Sequence, residues 1–239
     1  MKRLSRSYIE TIANNILAEY MKLPEFSGTR VYRIEPEILL TKVLGLNIEH
    51  AHLSMDGSIL GLTSFSDVEV EIYDETDMET FLFLDGKTIV IEKELATDVS
   101  KRGRYNFTAM HEGSHQIFKR LFPNDYGGSQ STEELHFHTY NSEKNKPIMD
   151  WEEWQANALA SALLLPETLI KQGMFIVGLG DKVYSIHKYN REVYERFCNL
   201  ADFLGSSKQA LAIRMKQLGL LEKEYIHSPN SIFDIYREV

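Results

Sequence analysis

Residues 151–165, WEEWQANALASALLL, constrain the fold of this chain more than any other stretch. Read as a helix, the segment is apolar nearly all round and ends at Pro166. A helix with so little polar face is stable only when other elements surround it, so the chain has to build a shell around a central buried helix. Its 239 residues, 43% of them hydrophobic, can do this as one large domain or a domain with a small appendage.

Several segments are candidates for the shell. Ile9, Ile12, Ile16, Leu17 and Tyr20 recur at helical spacing, which predicts an amphipathic helix over residues 7–21. Between residues 57 and 95 the pattern changes to short β-rich runs, SILGLTSF, VEVEIY, TFLFL and TIVIE. There Val68, Val70 and Ile72 alternate with Glu69 and Glu71, the period of a strand with one wet face. Asp85-Gly86 between TFLFL and KTIVIE has the spacing of a type I′ hairpin turn, so an antiparallel meander is expected. RYNFTAMHEGSHQIFKRLF then reads as a helix whose buried stripe is Phe107, Met110, Ser114, Ile117, Phe118 and Leu121. A polar surface loop, 123–147, joins it to the apolar helix. After Pro166, GMFIVGLGD reads as a Gly-rich connection, and residues 190–221 as two helices broken near Gly205, Ser206 and Ser207 and closed by Gly219. The expected fold is α+β: an N-terminal helix, a small antiparallel sheet, two central helices in residues 1–185, and a helical appendage in 186–239 packed on them.

Charge and composition remove several classes of function. A formal net charge of -9 disfavours broad nucleic-acid binding, because phosphates are repelled on average. Cys198 stands alone, so neither an internal disulfide nor a thiolate zinc cluster can form. No run of about 18 apolar residues exists, and the N-terminus leads into a helical pattern rather than an apolar signal segment. A reducing, cytoplasmic setting is expected.

The segment that carries chemistry is His111-Glu112-Gly113-Ser114-His115. On a helix, residues four apart share a face, so both imidazoles can reach one ion while Glu112 touches a water bound to it. Two imidazoles need a third ligand to make an open zinc shell. Glu152 and Glu153 open the apolar helix, and a carboxylate entering an apolar environment demands a partner. Glu153 is the candidate, because it lies four residues before Asn157 and shares a face with that hydrogen-bonding amide. The alternative is that Asp150 caps this helix and Glu153 closes a capping box.

RYNFTAMHEGSH resembles the Arg-x-x-Phe-Thr-x-x-His-Glu-x-x-His block of the ImmA/IrrE metallopeptidases, and EWQANALASALLLP resembles their Glu-x-x-Ala-Asn-x-x-Ala-x-x-Leu-Leu-x-Pro block. Weaker likeness in SILGLTSF, GKTIVIEKEL and SSKQALAIRMKQLGL extends the resemblance over most of residues 7–221. It implies a zincin-like fold and one Zn2+ per chain held by His111, His115 and Glu153. Glu112 then matches the catalytic base, and Asn157 the polar position after the third ligand. One departure is the order Gly113-Ser114, where many members have an apolar residue followed by Gly; Gly113 lowers helix propensity by about 1 kcal/mol relative to Ala. The implied activity is that of a zinc metallo-endopeptidase in the bacterial cytoplasm, acting on helix-turn-helix transcriptional repressors of mobile genetic elements or stress circuits. A non-hydrolytic module that binds a repressor or DNA is the rival class.

Other polar groups carry weaker expectations. His136 and His138 in ELHFHTY alternate on one face, either as groups at the site or as exposed loop histidines. Tyr105 could face the cleft but is left out of the catalytic set, and Lys101, Arg102 and Arg104 could bind substrate carboxylates or form a solvated turn. The helices of 191–218 could be a DNA-reading pair, although Leu211, Ile213, Met215 and Leu218 leave only a narrow polar face; the plainer reading is a cover for the core or a dock for the substrate. The strand KTIVIE could be a sheet edge on which an extended substrate adds.

Overall fold

The computed structural model describes residues 3–76, 78–126, 135–139, 151–184 and 190–222, the segment 135–139 by its backbone. Its helices are α1 Arg6–Tyr20, α2 Pro36–Ile38 with a π-helical continuation Leu39–Val43, α3 Lys93–Thr97, α4 Arg102–Leu121, α5 Trp151–Leu164, α6 Glu167–Val177, α7 Arg191–Phe203 and α8 Lys208–Gln217. Its strands are β1 Asn47–Ala51, β2 Ile59–Ser64, β3 Asp67–Tyr73, β4 Glu79–Asp85, β5 Thr88–Glu92 and β6 Leu135–Thr139. The fold is mixed α+β.

The apolar helix does occupy the centre. Ala156, Leu159, Ala160, Leu163 and Leu164 of α5 are buried, and α1 and α4 pack against it. Ser5 caps α1 by accepting from the Tyr8 amide, and α1 turns Ile9, Ile12, Ala13, Leu17 and Tyr20 inward. The Leu4 amide donates to Gln155 Oε1 at 2.8 Å, which fastens the start of the chain to α5. From the C-terminal side, Arg214 of α8 is 3% exposed; it pairs with both carboxylate oxygens of Glu10 and donates from Nε to the Leu165 carbonyl. Phe197, Leu200, Leu204, Leu211 and Met215 of α7, α8 and the turn between them share one hydrophobic cluster with Leu169, Ile170 and Met174 of α6. Among the described residues no single helix is long and apolar enough to cross a membrane.

The β-region differs from the expected meander. A four-stranded sheet has the order β1-β5-β2-β6, in which β1 runs parallel to β5 and the other pairings are antiparallel. The hairpin β3–β4 is a separate sheet, with Asp67 opposite Asp85 and Tyr73 opposite Glu79. The small sheet is therefore mixed, and Asp85-Gly86 does not close a hairpin. Asp85 Oδ1 instead accepts from the Lys87 amide and the Thr88 hydroxyl, and Gly86 takes φ 70°, so the pair turns the chain out of one sheet into the other. Turn chemistry alone cannot distinguish these outcomes, because the same Asx turn serves both. β5 is also not an edge: β1 and β2 flank it, and all five of its residues are buried. An extended substrate cannot add there.

A further correction concerns residues 173–181, expected as a Gly-rich connection. Its first half, GMFIV, is instead the C-terminal part of α6, which starts after Pro166 and stops at Gly178 with φ 75°, and only GLGD lies outside the helix. Gly173 survives inside this helix because a Cβ there would lie 2.5 Å from Leu200 Cδ1; the glycine lets α7 approach. In α4, Leu121, expected in the buried stripe, is instead 50% exposed.

Candidate metal centre

α4 lies across β2, and polar bonds fix its rotation. Gln116 Nε2 donates to Thr63 Oγ1 at 2.8 Å and to the Ser64 carbonyl at 2.6 Å. Higher on the same strand, a Cβ at Gly61 would lie 2.7 Å from Thr108 Cγ2 and 3.1 Å from Glu112, so only glycine lets the strand backbone pass this close to the helix. Gly113 has the matching role on another face of α4: a Cβ there would stand 2.2 Å from Leu40 Cδ2. What looked like a propensity defect is the space into which Leu40 packs.

This rotation buries His111, Glu112 and His115, each no more than 1% exposed. α5, packed alongside, brings in Glu153. Its Oε2 lies 3.3 Å from His111 Nε2 and its Oε1 lies 3.4 Å from His115 Nε2, and the two Nε2 atoms are 3.0 Å apart. Each ring is held from behind through Nδ1: His111 by Asn157 Oδ1 at 3.1 Å, His115 by the Tyr126 hydroxyl at 2.5 Å. With Nδ1–H engaged on the far side, Nε2 is the atom each ring presents to Glu153.

The charges are arranged unusually. Burial pushes the Glu112 carboxyl well above the usual carboxylate range, and the negative charge of Glu153 adds to the shift. For Glu153 burial acts in the same direction, but hydrogen bonds from His111 and His115, with their positive potential, outweigh it and hold the carboxyl below the usual range. Both oxygens of Glu112 are buried without a hydrogen-bond partner among the described residues. A buried carboxylate in that condition is costly unless a ligand completes it.

These residues fit a divalent cation. Two imidazole nitrogens and a carboxylate, all within 4.8 Å of one another, form a buried His-His-Glu group. A cation there would be held by Nε2 of both rings and by the Glu153 carboxylate. The donor set, with no thiolate, suits zinc and related borderline ions.

The predicted site residues His111, Glu112, His115, Glu153 and Asn157 thus lie together. Others lie elsewhere. Tyr105 donates to Glu37 Oε1 and meets His50 Nε2, each at 3.0 Å, so its hydroxyl is committed away from the metal group. Lys101 pairs with Glu94 at 2.9 Å and Arg102 with Glu35 at 3.6 Å, which fits a solvated turn. His136 and His138 are on β6 in register with Thr63 and Gly61, and their side chains are outside the described residues, as is Asp150. Sequence reasoning missed Tyr126, Thr108 and Gly61. Tyr126 is 1% exposed yet stands in NDYGG, where neither spacing nor periodicity marks it. No protein-family model matches the chain, and no curated protein does.

Proposed function

We propose that the chain is a zinc-dependent metallo-endopeptidase with a zincin-like fold, similar to the ImmA/IrrE metallopeptidases that its two motif blocks resemble. The observation that carries this reading is Glu112: a fully buried carboxylate without a donor among the described residues, next in sequence to one of two imidazoles that converge on Glu153. A carboxylate placed only for structure is ordinarily given donors. Zinc, held by His111, His115 and Glu153, supplies a Lewis acid and lowers the pKa of water when bound.

The chain's own residues do the rest. Glu112 takes the proton of the attacking water and returns it to the leaving amine. Asn157 and Tyr126 keep the imidazole rings from rotating. Gly61 lets the β2 backbone pass close beside Glu112. The substrate class is a protein, by resemblance a helix-turn-helix repressor in a bacterial cytoplasm. Direct DNA reading by α8 is disfavoured, because Arg214 is buried against Glu10.

The test uses a panel of small helix-turn-helix repressors from the same genome, beginning with one encoded beside this gene. Wild type is expected to yield discrete fragments that a chelator suppresses and added zinc restores. Glu112→Gln keeps the metal and binds without cutting. Relief of repression by Glu112→Gln equal to wild type, with the repressor intact in both, would show that the chain acts by binding.

A further inference from the structure

The β3–β4 hairpin has two faces of opposite character. Its even-numbered face, with Val70 and Leu84 buried, packs on Ala51, Leu53, Leu62 and Val90, on the side of the large sheet away from α4. Its odd-numbered face is open to solvent. There Phe81 and Phe83 are each 64% exposed. The cross-strand register sets Glu69 opposite Phe83 and Glu71 opposite Phe81, with Asp67, Asp85 and Glu79 at the ends. Neither strand, DVEVEIY nor ETFLFLD, contains a lysine or arginine.

This face is poorly suited to stabilise the hairpin. Cross-strand pairs gain most from aromatic, β-branched or opposite-charge partners. A carboxylate beside a phenyl ring offers none of these, since the face of the ring is itself negative. Two adjacent exposed phenylalanines also keep apolar surface in water that the fold does not need to expose. Both features suit a cation carried on an apolar stem. A lysine or arginine laid across the pair meets a carboxylate and a ring face together, and its methylenes cover the ring edge.

We infer that this face docks a basic protein segment bearing apolar side chains at intervals. Charge decides against the other occupants. A second copy would bring the same five carboxylates, and nucleic acid or an anionic membrane would bring phosphates. The inference does not rest on the hydrolytic reading, because the hairpin lies across the sheet from Glu112 and the assay reads binding rather than cleavage.

The probe is a short fluorescein-labelled peptide of alternating lysine and leucine, titrated by anisotropy with the full chain, against a lysine–serine peptide of the same charge. Wild type is expected to bind the lysine–leucine peptide at least about tenfold more tightly, and added salt to weaken it. Phe81→Ser/Phe83→Ser and Glu69→Lys/Glu71→Lys each lose about tenfold or more, with unchanged circular dichroism because all four side chains are exposed. Glu25→Lys/Asp181→Lys, an equal change of net charge elsewhere on the surface, loses far less. The proposal is overturned if wild type does not distinguish the peptides, or if the remote pair weakens binding as much as the hairpin variants do. It is also overturned if sedimentation shows a wild-type dimer that Phe81→Ser/Phe83→Ser dissolves, since the occupant is then a second copy.

Discussion

Two buried glutamates, Glu92 and Glu112, present the same group in opposite conditions. Glu92, at the end of β5, is 4% exposed; its oxygens accept from His52 Nδ1 at 3.0 Å and from the Leu53 amide at 2.8 Å. Glu112 is 0% exposed and accepts from no described residue. The described fold supplies donors to the first and none to the second. Burial alone therefore does not distinguish these two carboxylates, whereas hydrogen-bond satisfaction among the described residues does.

The largest expected effect breaks or keeps the functional half of that comparison. Glu112→Gln retains the shape of the side chain but cannot take a proton, so the rate of peptide cleavage should fall by about 10² to 10⁴, mainly in kcat. Glu92→Gln should leave kcat near wild type. Equal losses in the two variants would erase the distinction.

Metal content tests the third donor next. Glu153→Ala should lose far more affinity than the roughly 10- to 100-fold that removal of a supporting hydrogen bond costs, while Glu152→Ala retains the ion, because adjacent helical side chains point about 100° apart. The supporting bonds themselves come third. Tyr126→Phe and Asn157→Leu should each weaken zinc binding by about 10- to 100-fold in competition with a chromogenic chelator, without altering the metal-free melting curve much.

The sharpest form of the comparison is one substitution made twice and read as stability in metal-free protein. Glu92→Leu leaves the Leu53 amide and the His52 ring without their acceptor and should cost about 1–3 kcal/mol in urea unfolding. Glu112→Leu orphans no donor and removes a buried group that nothing satisfies, so it should not destabilise. A loss at Glu112 equal to that at Glu92 would mean that donors to Glu112 exist. Gly113→Ala gives a comparable or smaller effect: the contact with Leu40 predicts a loss of about 1–3 kcal/mol, partly offset by the roughly 1 kcal/mol alanine gains in a helix. Stabilisation by that change would deny Gly113 its packing role.

The sequence by itself determined the elements whose signals are local. The central position of α5 followed from its nearly unbroken apolar surface. The face shared by His111 and His115 followed from helical spacing, and the amphipathic α1 from its periodicity. Glu153 was legible for a related reason, as a charged residue entering an apolar helix needs a partner. Tertiary structure decided everything that depends on which segments meet. Asp85-Gly86 could close a hairpin or hand the chain to another sheet, and only the pairing of β4 with β3 and of β5 with β1 and β2 chose the latter. Gly113 and Gly173 read as helix defects until Leu40 and Leu200 fill the space beside them. Tyr126 has no pattern of its own and reaches His115 only because the chain folds back after α4. Periodicity reports which face of an element is buried, but hydrogen-bond partners and close backbone approaches belong to pairs of distant residues, and those pairs exist only once the chain has folded.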